Sequence, residues 1–347
     1  MLFNIEHDSG ERVVGYIVPE SFSEIPEIDV VAGGAVVLSM PVNEIREALV
    51  GAGRHETGQC GFNIGPEHLP DIVELHDLRI VEKGSGVTIY RRPMPIQIHR
   101  RVIRFETSLY PLWRMDNAIG HQFQYFEKGL ERFGRETVTQ MFLLNHYSSI
   151  LLSGRIAYKN FSMYIEENFD GLCLIQNPHE ERAERLLGLA RMSEIGAQHL
   201  GERDAMRLAP AIAFAASLDF EDEKKLKKAM LAMPMDVAQL LANPLVRQFT
   251  TTTPDEMPSG NAVASTLDIL AHFAVVGTRD FAHEYTEAVG AMLGTDPSVI
   301  PQIWTFEKVR AAGELIRRIR VVDHLIEKDL AVYAQVHRAL AELARSV

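Results

Sequence analysis

Residues 102–111 read VIRFETSLYP. The run VIRF is short, opens on two β-branched residues and is apolar apart from Arg104, which suits a buried strand. Thr107 and Ser108 make a hydroxyl-bearing turn, and Pro111 opens a segment with helical spacing. Strand, turn and helix in that order begin a layered α/β unit. Two more apolar runs lie behind it, at 149–152 and 171–176, each followed by a helical stretch. A fourth strand is expected at 273–277. The alternation predicts an α/β fold, a parallel sheet flanked by helices, with a nearly all-helical C-terminal half beyond Pro178.

Towards the N-terminus the texture differs. Short β-rich runs at 13–18, 28–31, 34–40, 78–82 and 87–90 are separated by turn residues, with Gly33-Gly34 and Gly84-Ser85-Gly86 as hairpin signals. One helix is expected at 42–52, where Pro41 would sit in the first turn. Residues 53–62, punctuated by glycine, read as a tight turn. These features predict a small β-rich, sandwich-like module over residues 1–95, joined through Arg91-Arg92-Pro93-Met94-Pro95 to an α/β domain over 96–347. The two prolines end the last strand of the module. The final helical stretch, 306–345, carries Leu315, Ile319, Val322, Leu325 and Ile326 at helical spacing. Core packing is the first reading of that face, and a homodimer seam through the C-terminal helix the second.

Composition narrows the function. The 347 residues are 46% hydrophobic and 24% charged, which is globular, and 47 acidic against 35 basic side chains give a formal charge of −12. Nucleic acid is a poor partner for such a field, although local basic patches can still hold a small anion. Two cysteines without CxxC spacing suit a reducing compartment. Neither a signal peptide nor a membrane span is expected, so the chain reads as cytoplasmic. Thirteen histidines are scattered without zinc spacing, and no metal site is expected. Dinucleotide, Walker and serine-hydrolase motifs are missing.

The chemistry-bearing candidates lie between 103 and 187. The turn Thr107-Ser108 precedes a helix N-terminus, where free N–H groups attract phosphate. Ser153-Gly154-Arg155-Ile156-Ala157-Tyr158-Lys159-Asn160-Phe161 follows one apolar run. Leu172-Cys173-Leu174-Ile175-Gln176-Asn177-Pro178-His179-Glu180-Glu181-Arg182 contains another. This order resembles the carbohydrate sulfotransferases, in particular the uronyl and heparan 2-O-sulfotransferase branch. There a Gly-His-x-x-Tyr-x-(Asn/Asp)-Phe segment precedes an apolar strand ending in Arg-(Asp/Asn)-Pro-x-Glu-Arg. Asn243–Phe249, the helix 262–273 running into Val275-Val276-Gly277-Thr278-Arg279, and Asp329–Tyr333 are similar to that family's later elements. The resemblance runs from Ile103 to Tyr333 and leaves the N-terminal module uncovered.

The resemblance implies a P-loop-like sulfotransferase fold and a sulfuryl donor, 3′-phosphoadenosine 5′-phosphosulfate, with a carbohydrate hydroxyl as acceptor. Thr107, Ser108 and Arg114 would hold the donor's 5′ side. Gln176, Arg182 and Arg185 would lie near its 3′-phosphate, and Arg247 would be a further anion contact. Sulfuryl transfer needs a base for the acceptor proton and cations for the developing charge. Arg155 would supply charge and His146 is the candidate base. Several positions depart from the family pattern. Residues 106–111 contain no lysine, Gln176 replaces an arginine, Glu184 a serine, and Arg155 the expected histidine. These departures support a second expectation, a catalytically degraded relative that binds a glycan or a protein.

Overall fold

The computed structural model describes residues 1–20, 24–196 and 200–346. The glycines at 196 and 201 predict a break in the helical half at 196–201, of which 197–199 lie outside the described residues. Thirteen strands appear among the described residues: β1 (Leu2–Asp8), β2 (Val13–Val18), β3 (Glu27–Ala32), β4 (Ala35–Pro41), β5 (Glu44–Ile45), β6 (Gln59–Ile64), β7 (Arg79–Glu82), β8 (Thr88–Arg91), β9 (Arg101–Phe105), β10 (Tyr125–Lys128), β11 (Ile150–Gly154), β12 (Asp170–Ile175) and β13 (Val275–Thr278). The first eight form two antiparallel sheets, ordered β1-β2-β6-β5 and β4-β3-β7-β8. The other five make a parallel sheet in the order β10-β11-β9-β12-β13, flanked by helices.

By contacts the chain divides into two compact units. One comprises Met1–Arg101, Gly120–Glu127 and Phe133–Leu151. The other comprises Val102–Ile119, Lys128–Arg132 and Leu152–Val347. The first unit thus runs past residue 95 and takes in two later stretches.

In the first unit, Gly33 and Gly34 turn β3 into β4 with φ of 56° and 79°, a region that costs glycine nothing. Three sequence expectations need correction here. The segment read as a turn at 53–62 ends in β6, between β2 and β5. Cys60, Phe62 and Ile64 alternate on it and are fully buried, while Gly61 lies directly under the Arg46 guanidinium. The glycines hid a strand period in the sequence. The helix expected at 42–52 shrinks to Glu47–Gly51, and Pro41 ends β4 instead of opening a helix. Strand β1 was not expected at all.

In the second unit, β12 pairs in parallel with β9 and with β13. Gly171 permits the approach of Phe273, whose ring would lie 2.7 Å from an added Cβ. Phe105, Tyr158, Phe249 and Phe273 pack as an aromatic cluster with centroids 5.3–6.2 Å apart. A second core is helical, centred on Leu186, Leu189, Leu226, Ile316 and Ile326. The C-terminal stretch is three helices, not one: Glu307–Arg317, Arg320–Leu325 and Glu327–Ser346. A straight forty-residue helix would reach about 60 Å, whereas the breaks let Ile319, Val322 and Ile326 enter the helical core. Those three residues of the candidate dimer seam are therefore buried within the unit. No helix among the described residues is long and apolar enough to cross a membrane.

Candidate functional site

Strand β9 lies beside β12, and the chain leaving β9 runs to β10 on one side while the chain leaving β12 runs to β13 on the other. In parallel sheets, ligands collect at the carboxyl ends of strands beside such a switch point. Residues 106–112 occupy that position, and their hydrogen bonds define the site.

Glu106 is 2% exposed. Its carboxylate accepts the Ser108 N–H at 3.1 Å and the Leu112 N–H at 2.6 Å. It also pairs with Arg104 at 2.9 Å. The turn's converging N–H groups, which would favour an external anion, are thus directed at an internal one. Arg104 meets Asp116 through two bonds of 2.5 and 2.7 Å, and the Ser153 hydroxyl donates to Asp116 at 2.7 Å. Burial pulls the Arg104 guanidinium down, but Asp116 and Glu106 outweigh it and hold its pKa well above the usual value.

The hydroxyls of the turn are also engaged. Thr107 donates to the Leu174 carbonyl at 2.8 Å, and Ser108 Oγ accepts from Arg279 at 3.0 Å. Arg279 in turn pairs with Glu184 at 3.2 Å. Arg155 pairs with Asp204 at 2.7 Å and reaches the carbonyls of Ser108 and Leu109 at 3.5 and 3.4 Å. It braces the turn's backbone. Burial lowers its pKa, and Glu131 and Asp204 more than offset that.

A second group of charges lies at the exit of β12. Arg182 is fully buried; Nη2 donates to the Leu241 carbonyl, while Nε and Nη1 have no partner among the described residues. Burial lowers its pKa to about 10, so it stays charged near neutrality. Arg185 is held by Glu181 at 2.6 Å. Arg247 donates to the carbonyls of Gln239 and Pro254 at 2.6 and 3.3 Å, and its Nε has no partner among the described residues. Arg207 is in electrostatic reach of Arg155, Arg185 and Arg247. Gln176 is 3% exposed and neither end of its amide has a partner among the described residues. It borders a cavity of about 10 Å³ shared with Thr107, Glu181, Leu245 and Asp329. Unmet buried donors of this kind are costly.

The structure therefore brings Thr107, Ser108 and Arg155 to one turn and Gln176, Arg182, Arg185 and Arg247 to one buried basic cluster. Arg114 is exposed, its guanidinium 5.5 Å from the Trp304 ring centroid. His146 belongs to the first unit, with its ring against Tyr147 at 4.3 Å. Sequence reasoning missed Arg104, Glu106, Asp116, Arg207, Arg279 and Asp329. Alternation places Arg104 and Glu106 on one face of the strand, and that shared face was the signal available for the pair.

Fold and site together describe an α/β protein whose central strand ends in a buried ion network. No family model, no curated protein and no solved structure matches the chain.

Proposed function

We propose that this chain is a sulfotransferase-like protein that binds a glycan without transferring a sulfuryl group to it. One observation carries this reading. The Glu106 carboxylate occupies the N–H groups of Ser108 and Leu112, the place where a donor phosphate would be cradled. A phosphate brought there would meet the like charge of Glu106 in a low-dielectric site, which is strongly unfavourable. Arg155 cannot act as a base near neutral pH, and its charge is already matched by Asp204. The glycan is the ligand class that the resemblance implies.

The transfer reading has its own support. The unpartnered N–H groups of Arg182 and Arg247 are the chemistry that holds a phosphate. In that scheme the donor 3′-phosphoadenosine 5′-phosphosulfate would be anchored there, with Gln176 and Arg185 beside it.

Calorimetry with 3′-phosphoadenosine 5′-phosphate separates the two. The expected result is no measurable heat at millimolar ligand, together with retention of the protein on immobilised polysaccharide. Labelled donor should leave no label on the polysaccharide. Micromolar binding that Arg182→Ala weakens at least tenfold, with label incorporated, would establish transfer in its place.

A further inference from the structure

The turn after β9 has a second side. There a cleft of about 180 Å³ is bounded by Leu112, Met115, Arg114, Arg279, Trp304 and Phe306, among others. Its aromatic wall is unusually open: Trp304 is 46% exposed and Phe306 62%. The two rings stand edge to face at 6.4 Å. They come from a stretch without regular secondary structure, between the short turn of helix Pro297–Val299 and the helix Glu307–Arg317. Phe306 occupies the N-cap position of that helix and makes no side-chain cap bond. Serine, threonine, aspartate or asparagine would stabilise the helix start there, so the position is given to an apolar ring at the cleft.

The charges of the cleft are unequal. Arg279 is neutralised by Glu184. Arg114 lies over Trp304 at 5.5 Å and has no ion pair among the described residues. The cleft thus offers a flat aromatic face, apolar walls and one unmatched cation. Sugar rings need several hydrogen-bonding groups around the ring, and these walls are mainly apolar. A planar aromatic ring with an acidic substituent satisfies all three features.

We propose that this cleft binds a planar aromatic compound carrying a negative group, with the ring on Trp304 and the anion on Arg114. The inference does not rest on the sulfotransferase-like reading, and it stands or falls separately. The test is calorimetric, with 2-naphthyl phosphate as the probe and cyclohexyl phosphate, 2-naphthol and inorganic phosphate as comparisons. Binding of 2-naphthyl phosphate should be at least tenfold tighter than that of each comparison compound. Trp304→Ala and Arg114→Gln should each weaken it about tenfold, a change of about 1.4 kcal/mol, while Trp304→Phe keeps most of it. Both side chains are well exposed, so the thermal midpoint should not move. Absence of heat, equal binding of cyclohexyl phosphate, or either substitution leaving the affinity within twofold would overturn the proposal. So would a concentration-dependent dimer that Trp304→Ala abolishes and the probe does not disturb, since a second copy would then be the occupant.

Discussion

Asp116→Ala is expected to destabilise the second unit by about 3–5 kcal/mol, the cost of breaking a buried ion pair from one side. Asp116 is fully buried and holds Arg104 through two bonds and Ser153 through a third. Its removal leaves a guanidinium that is 1% exposed with Glu106 as its remaining carboxylate. Glu106 also serves the N–H groups of Ser108 and Leu112, so any shift towards Arg104 loosens the turn. Urea unfolding of wild type and variant measures the loss. The double change Arg104→Met with Asp116→Leu should recover part of it, because it removes the Arg104–Asp116 pair as a whole, but not all, because Glu106 loses its buried cation. An equally large loss in the double variant would mean that shape, not charge, governs this site. By contrast Lys225→Ala, which breaks an exposed pair with Asp219, should leave the midpoint unchanged.

Asp329 should make stability fall as pH rises. It is 3% exposed, and burial pushes its pKa up to about 7; the N–H groups of Val246 and Leu245 oppose that shift, Glu181 adds to it and Arg182 opposes it. The unfolded carboxyl titrates near 3.8. A raised folded value means that the native state holds its proton more tightly. This contribution is therefore complete below about pH 4 and lost as pH climbs to about 7, at roughly 1.4 kcal/mol per pH unit within that window. Asp329→Asn removes the titration, so the difference in urea midpoint between wild type and variant should change between pH 5 and pH 7.5. Parallel pH profiles for the two proteins would refute the assignment. The residue matters structurally as well. Asp329 accepts from Leu245 and Val246 at 3.2 and 2.9 Å, while Asn243 accepts from Lys328 and Asp329 at 3.0 and 3.3 Å. Two helix starts cap each other across more than eighty residues of chain.

Four strands of the parallel layer were legible because they are short runs of mostly apolar residues, as in LCLI, which depend on local composition alone; β10, YFEK, carries no such run, and its stretch read as helical up to Leu130. Strand β6 was not legible either, since Gly58 and Gly61 read as turn residues; only the pairing with β2 and β5 makes QCGFNI extended. The C-terminal stretch showed helical periodicity correctly at Leu315 to Ile326. Its breaks follow from where buried isoleucines must land, which periodicity does not contain.

For the site, the sequence by itself determined the residue types: hydroxyls at 107 and 108, arginines at 155, 182, 185 and 247, and the missing lysine between 106 and 111. Only the tertiary structure decided what those groups face. Arg104 finds Asp116 twelve residues away and Ser153 forty-nine away, and Glu106 turns into its own turn's N–H groups. The physical reason is that a buried charge must be matched, and matching depends on which groups the packed sheet and helices bring within about 3 Å, whatever their separation along the chain.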